Sequence, residues 1–326
     1  MAARSTNHAD PLPRYAPQLA QLVKTPPGGD AWVHEIKYDG YRIGCRIERA
    51  VVTLLSRNGK DWTRAFPEIV AAAKALHLRS ALFDGEVCFV GRDGRTSFQD
   101  LQNLSSAHAR RALVYFVFDL LYLNGRRLIA KPLEARKRVL EALLRGRRLQ
   151  FAGRLDADGA AAFREACRLG LEGIVSKRRD QPYQSGKRIG WLKTKCVQRQ
   201  EFVIGGFTDP TGAREGIGAL LIGHYEGDDL VFAGKVGTGF TVKAARELRA
   251  ALNRLEVRAS PFTPSPAGGL GRNAHWTRPV LVCEIVFTEW TTEGKIRHPS
   301  FQGLRTDKDA RTVVRERPAR PSTRRA

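Results

Sequence analysis

Hydrophobic positions along this chain follow two periods, and their texture changes near residue 198. Between about residues 32 and 196, short alternating runs trade places with helical stretches. Residues 51–55, 81–83 with 87–90, and 113–123 alternate or run apolar, and predict strands. Residues 68–78, 133–144 and 160–169 carry the spacing of helices, the first and last being rich in alanine. The mixture has no clean βαβ repeat and predicts an α+β domain. Beyond Lys195 the strands become short and are punctuated by glycine-bearing turns: 202–204, 219–222, 230–232 and 280–287, with one helix at 243–255. That set suits a small β-barrel of the OB kind. Residues 1–30 hold Pro11, Pro13, Pro17, Pro26, Pro27 and the pair Gly28-Gly29, and predict an irregular arm. Residues 261–271 form a Pro/Gly loop, and 315–326, with arginines at 315, 317, 320, 324 and 325, predict a basic disordered tail. The expected segments are therefore 1–30, 31–198, 199–314 and 315–326.

Composition changes this picture in one respect. A hydrophobic content of 42% with 27% charged residues permits a real core and excludes wholesale disorder. The charge is unusual: 55 Lys plus Arg against 33 Asp plus Glu gives +22. Such a surface favours a polyanion, because neutralised phosphates release their condensed counterions. A basic ribosomal or chromatin-like protein would share that property. Cys45, Cys88, Cys167, Cys196 and Cys283 are widely spaced with no C-x-x-C pair. They predict reduced thiols rather than a zinc site or a disulfide framework. No apolar run is long enough to span a bilayer and residues 1–13 lack a signal core, so the expected location is the cytoplasm.

Several residues carry chemistry. Lys37 ends an alternating run and is followed by the turn signal Tyr38-Asp39-Gly40, with Arg42 beyond. Phe83-Asp84-Gly85-Glu86-Val87 and Leu171-Glu172-Gly173-Ile174-Val175-Ser176-Lys177 set carboxylates among apolar neighbours, which is costly unless they are paired or hold a metal. In a basic protein, two such carboxylates suit Mg²⁺ shared with substrate phosphates. In Trp191-Leu192-Lys193-Thr194-Lys195 the period of two turns both lysines to one side. A polyphosphate would relieve their repulsion, although a lysine-guarded edge strand has the same pattern. Phe116 and Phe118 also share a face, fit either for stacking on a purine or for core packing. Arg305-Thr306-Asp307-Lys308 lies past the barrel strands. Each element is weak alone; their order is informative.

Read in that order, the chain resembles the covalent nucleotidyltransferases, specifically ATP-dependent DNA ligases and the ligase module of bacterial end-joining enzymes. The likeness runs from Glu35 to Arg311 and includes Ser56-Arg57-Asn58-Gly59 after the lysine segment. It implies a nucleotidyltransferase (ATP-grasp-like ligase) domain of antiparallel sheets with helices, followed by a β-barrel OB-fold domain. By resemblance, Lys37 attacks the α-phosphate of ATP to form a lysyl-AMP. A lysine must be neutral to attack, so the site is expected to depress its pKa, with Arg42, Lys193, Lys195 and bound metal as the cationic neighbours. Glu35 would read the adenine amino group, Ile36 would lie in the same nucleotide pocket, Phe118 would stack on the base and Glu86 would hold the ribose. Glu172, with Glu86, would hold Mg²⁺, with Mn²⁺ as the alternative. Lys177, Lys193 and Lys195 would neutralise phosphate charge, and Arg57 would grip the 5′-phosphate of a nick. Asp307 and Lys308 would arrive with the OB domain to align the departing pyrophosphate.

The resemblance also implies nicked or broken double-stranded DNA as substrate, a monomer, and a location at the bacterial nucleoid. Only about 35 residues precede Lys37, so the large N-terminal DNA-binding domain of eukaryotic replicative ligases is expected to be absent, as are polymerase and phosphoesterase modules. A Ku-type end-binding protein is then the expected recruiting partner. An RNA ligase or mRNA-capping guanylyltransferase is the nearest rival, and Glu35 favours adenine over guanine. A non-catalytic basic nucleic-acid-binding protein would be expected to lack a key residue, whereas Lys37, Glu86, Glu172, Lys193 and Asp307 are all present.

Overall fold

The computed structural model describes residues 10–319, apart from 103, 105–109, 147–148, 211–214, 267, 269 and 271–272. It divides into two compact units: Met1–Cys196 with Pro318–Ala326, and Val197–Arg317.

The first unit is built on two sheets. One has four strands in the order β1 (Gln18–Leu22), β10 (Gly186–Lys195), β9 (Gly173–Arg178) and β2 (Trp32–Ile36). The other runs β4 (Val51–Ser56), β3 (Tyr41–Glu48), β5 (Ser80–Phe89), β6 (Leu113–Leu123) and β7 (Arg126–Arg127), with β8 (Gln150–Phe151) also on β6. Except for β1 on β10 and β8 on β6, neighbours are antiparallel.

Alternation decides which side of each sheet carries chemistry. In β3, β5 and β6, the residues Tyr41, Ile43, Cys45, Phe83, Val87, Tyr115 and Val117 pack on one side, against α1 (Pro67–Lys74), α2 (Phe98–Gln102) and α3 (Leu133–Leu144). Arg42, Glu86 and Phe116, in register across the three strands, therefore point the other way. In the four-stranded sheet, Ile174 packs against Ala162 and Ala166 of α4 (Gly159–Arg168), whose N-cap Asp158 accepts from the backbone N–H groups of Ala160 and Ala161. The registers Val33↔Lys177↔Trp191, Glu35↔Val175↔Lys193 and Gly173↔Lys195 put those residues on the opposite side. The two polar sides face each other: the Phe118 and Trp191 rings meet edge to face at 5.9 Å, and Tyr15, Leu82, Tyr122 and Tyr183 fill in around them.

The second unit holds β11 (Gln198–Thr208), β12 (Ala219–Glu226), β13 (Asp229–Val236), α5 (Val242–Asn253), β14 (Glu256–Val257), β15 (Ala274–Thr277), β16 (Val282–Phe287) and β17 (Ser300–Leu304). Strand β11 serves two partners along one edge, β16 over Gln198–Val203 and β15 over Gly206–Thr208, with β12 on its other edge. The switch falls at a bulge between Ile204 and Gly206, and glycine is required there: a Cβ on Gly205 would lie 2.4 Å from the Phe262 ring. The barrel-like interior is closed by Phe202, Ile222, Ala233, Ile285 and Phe301, with Leu248 and Leu252 of α5 against it.

The structure corrects two expectations. The arm at 1–30 is not wholly irregular, because Gln18–Leu22 adds to β10 as a parallel strand. The strand expected at 81–83 with 87–90 is β5, Ser80–Phe89, which carries Asp84 and Glu86 inside it. The cysteines are not all thiols: Cys167, at the end of α4, and Cys196, after β10, form a disulfide because helix and strand end side by side. Cys45, Cys88 and Cys283 are free and buried. In the predicted tail, Arg315 lies over the Trp290 ring and Arg317 pairs with Glu226, while 320–326 fall outside the described residues, as do 1–9 of the arm. Among the described residues no helix is long and apolar enough to cross a membrane.

Candidate active site

Lys37 follows directly on β2, and its backbone N–H donates to the carbonyl of Gly173. The Glu172 carbonyl accepts in turn from the N–H of Cys196. These bonds set three strand ends side by side and bring the Lys37 ammonium to 2.6 Å from Glu172 Oε2. Gly173 permits the approach: its φ is +147°, and a Cβ there would lie 2.1 Å from the Thr194 carbonyl oxygen.

Burial alone would push Lys37 toward the neutral amine. Glu172, followed by Glu86 and Asp39, outweighs that and holds its pKa above the ordinary lysine value. The structure does not show the expected depression by Arg42, Lys193 and Lys195: the charges that set Lys37 are carboxylates. Arg42 is committed elsewhere. Its Nε and Nη2 donate to the two oxygens of Asp84 at 3.0 and 2.6 Å, and Nη1 donates to the Gln18 carbonyl. Asp84 is fully buried and also accepts from the hydroxyls of Tyr15 at 2.9 Å and Tyr183 at 2.6 Å. It is the hub that ties β5 to β1 and to the segment before β10.

Glu35 is 2% exposed and lies two residues before Lys37 on the same side of β2. Lys137 Nζ donates to its Oε1 at 2.5 Å and to the Ala152 carbonyl at 2.7 Å. Lys177 Nζ donates to Glu35 Oε2 at 2.7 Å and sits 4.4 Å from the Phe118 ring centroid and 4.1 Å from that of Trp191. Burial pushes the Lys177 ammonium down to about 8; Glu35 works against that shift and Lys137 with it. Lys177 therefore does not stand open to phosphate, as expected from sequence, but is enclosed by a carboxylate and two rings. Phe118 has Arg42 at 5.1 Å as well as Lys177, whereas Phe116 stacks on Tyr38 with centroids 4.0 Å apart.

Lys193 and Lys195 project from β10 on the same side as Trp191, with Lys195 beside Gly173. Arg57 lies in the turn after β4, where the Lys60 backbone bonds back to Ser56. Asp307 and Lys308 belong to the second unit. Arg305 donates to both Asp307 oxygens at 2.8 Å and to Glu284 at 3.4 Å, and Lys308 reaches Glu201 at 2.8 Å. Burial works to raise the Asp307 carboxyl, but Arg305 holds it below the usual carboxylate range.

The structure thus brings Glu35, Lys37, Glu86, Glu172, Lys177, Lys193 and Lys195 to the facing sides of two sheets in one unit. Sequence reading missed Lys137, Asp84, Arg136 and Asp119. A signal existed for two of them: Arg136 and Lys137 fall at the i+3 and i+4 positions from Leu133, with Leu140 and Leu144 completing the buried stripe of α3. Among the described residues no group of three or more His, Cys, Asp or Glu could enclose a metal. Glu172 and Glu86, both acting on Lys37, instead fit an ion held by few carboxylates and by phosphate oxygens.

Comparison with known proteins agrees with this arrangement. The family described as "ATP dependent DNA ligase domain" matches residues 14–195, and "ATP dependent DNA ligase C terminal region" matches 213–308. The multifunctional non-homologous end joining protein LigD of Pseudomonas aeruginosa is 44% identical over 318 residues, which is 95% of this chain and 38% of that protein. The non-homologous end joining DNA repair protein LigD of Mycobacterium tuberculosis is 39% identical over 289 residues, 87% of this chain and 37% of that one. The chain thus spans well under half the length of these relatives. A solved structure described as mycobacterial DNA ligase D complexed with ATP and MES superposes with a TM-score of 0.71 at 36% identity, covering 92% of this chain and 98% of the other. With a family match over more than half its length and the lysine–carboxylate pair in the matched segment, the chain belongs to the ATP-dependent DNA ligases.

Proposed function

We propose that this chain seals 5′-phosphate/3′-hydroxyl breaks in double-stranded DNA by accepting AMP from ATP on Lys37 and passing it to the DNA 5′-phosphate. The observation that carries this reading is the Lys37–Glu172 contact at the joined ends of β2 and β9, on the sheet side that also bears Lys193 and Lys195. Lys37 Nζ supplies the nucleophile, and Glu172 keeps it charged and oriented until its carboxylate is drawn away. Lys193 and Lys195 meet phosphate charge as it develops. Glu35, whose two oxygens retain lone pairs beyond the two lysines, reads the adenine amino group, and Phe118 and Ile36 line the base pocket. Glu86 holds the ribose and, with Glu172, a Mg²⁺ or Mn²⁺ ion that neutralises phosphate oxygens when bound. Arg57 grips the 5′-phosphate of the break. Asp307 and Lys308 act from the second unit on the departing pyrophosphate. The names of the relatives support a role in end joining, with a Ku-type protein bringing the enzyme to DNA ends.

The test is incubation with α-labelled ATP or GTP followed by denaturing electrophoresis, then sealing of a nicked duplex. Label from ATP on the wild type, none on Lys37→Ala, and sealing only by the wild type are expected. Label from GTP alone, or sealing by Lys37→Ala, would overturn the reading.

A further inference from the structure

Two adjacent residues of α3 reach the two sheets separately. Arg136, fully buried, donates from Nε and Nη2 to the carboxylate of Asp119 on β6 at 2.7 and 2.8 Å. Its Nη1 donates to the carbonyls of Lys131 and Gln181. Lys137, the next residue, reaches Glu35 on β2. One helix thus grips both walls of the site, each by a buried ion pair, on consecutive positions of a single stripe. The Lys137 stem passes the Phe151 ring, with Nζ 4.9 Å from its centroid. Glu35 is held between Lys137 and Lys177, and Lys177 bridges back under Phe118 of β6.

We infer that Lys137 is a positioning residue for nucleotide binding: from α3 it fixes the carboxylate of Glu35, and so the wall of the site that receives the base of the nucleotide. Lys137 itself does not face the reacting atoms. Its two hydrogen bonds go to Glu35 and to the Ala152 carbonyl, so its effect must pass through Glu35. Without it, Glu35 keeps only Lys177 and can rotate toward that partner. A carboxylate with one anchor instead of two loses the orientation that a bound base needs. The phosphate end, around Lys37 and Glu172, rests on backbone bonds of β2, β9 and β10 that do not involve α3. The expected signature is therefore weaker nucleotide capture with an almost unchanged transfer step.

This inference rests on the ligase reading, and one experiment separates the two. Rates of Lys37 adenylation are measured against ATP concentration for the wild type, Lys137→Met, Lys137→Arg, Glu35→Gln and the Lys137→Met/Glu35→Gln double variant. Melting temperatures are recorded alongside. Lys137→Met should raise KM for ATP at least tenfold with kcat within threefold, and Lys137→Arg should restore KM to within threefold of wild type. In the Glu35→Gln background, Lys137→Met should add less than twofold, because its effect passes through Glu35. An unchanged KM in Lys137→Met, a fall in kcat alone, or an equal effect in both backgrounds would overturn the role of Lys137 and leave the ligase reading standing. A wild type that takes no AMP from ATP would overturn both.

Discussion

Asp84→Asn removes one charge from the most enclosed part of the first unit and changes almost nothing in shape. In the native chain the Asp84 carboxylate meets two nitrogens of Arg42 and two tyrosine hydroxyls, with the residue itself at 0% exposure. The amide leaves Arg42 as a buried cation with no counter-charge on its inner side. Removing one partner of a buried ion pair typically costs ~3–5 kcal/mol, because the desolvation of the survivor is no longer compensated. In a unit of this size each kcal/mol moves the melting temperature by about 2–4 °C, so the loss should be about 6–20 °C. Trp191, whose ring lies 5.4 Å from the Arg42 guanidinium, contributes with Trp32 and Trp62 to the fluorescence that follows unfolding of this unit. Adding Arg42→Met to Asp84→Asn should recover part of the loss, since the uncompensated charge disappears. A loss below about 1 kcal/mol, on the scale of an exposed pair, or a double variant worse than the sum of the singles, would refute the assignment of Asp84 as a buried hub.

Other outcomes follow from the same geometry. Burial, aided by Asp84 or Glu35, raises Tyr15, Tyr38 and Tyr183, and burial with Cys45 raises Tyr115. Above about pH 10 the unfolded chain loses these protons while the folded chain keeps them, so stability falls as pH rises there. Ultraviolet difference titration should show these four ionising only as the chain unfolds. Hydrogen bonds that the His275 ring donates to Asp209, then to Glu256, raise its pKa. Their contribution is complete below the ordinary histidine range and fades as pH rises through the folded value, so His275→Gln should lower the melting temperature more at pH 5.5 than at pH 9. Burial raises the Cys45 thiol to about 12 and also raises Cys88 and Cys283, so all three should resist thiol reagents until the chain is denatured. Asp158→Ala removes the cap that accepts two N–H groups at the start of α4 and should cost ~1 kcal/mol in urea titrations.

The strands and helices that carry their own periodicity were legible in the sequence. The expected bounds 113–123 and 133–144 coincide with β6 and α3, because one is a long apolar run and the other a regular amphipathic stripe. Strand β1 was not legible. Gln-Leu-Ala-Gln-Leu lacks β-branched residues, sits among prolines, and gains its structure from β10, more than 160 residues away. The site divides along the same line. Lys37, Glu86, Lys193 and Lys195 stand in short ordered segments whose alternation turns them to one side, and Glu172, just before β9, reaches Lys37 from the strand end. What occupies their partners was not legible, because an ion pair such as Lys137–Glu35 is made across 102 positions of chain. Arg42 and Lys177 were read as free cations for that reason, and the structure spends both on carboxylates. The disulfide escaped in the same way, since a separation of 29 residues says nothing of a helix end meeting a strand end.

The Lys37–Glu172 contact hangs on main-chain bonds: Lys37 to the Gly173 carbonyl, and Cys196 to that of Glu172. Either side chain can therefore be exchanged while the strand ends that present it stay in place. Chemistry and scaffold are separable at this point of the molecule. On the proposed function, a chain disarmed at residue 37 should remain an intact receptor for nucleotide and for broken DNA, stalled before the first covalent step. Such a chain offers a way to weigh the enzyme's grip on its substrates apart from their conversion.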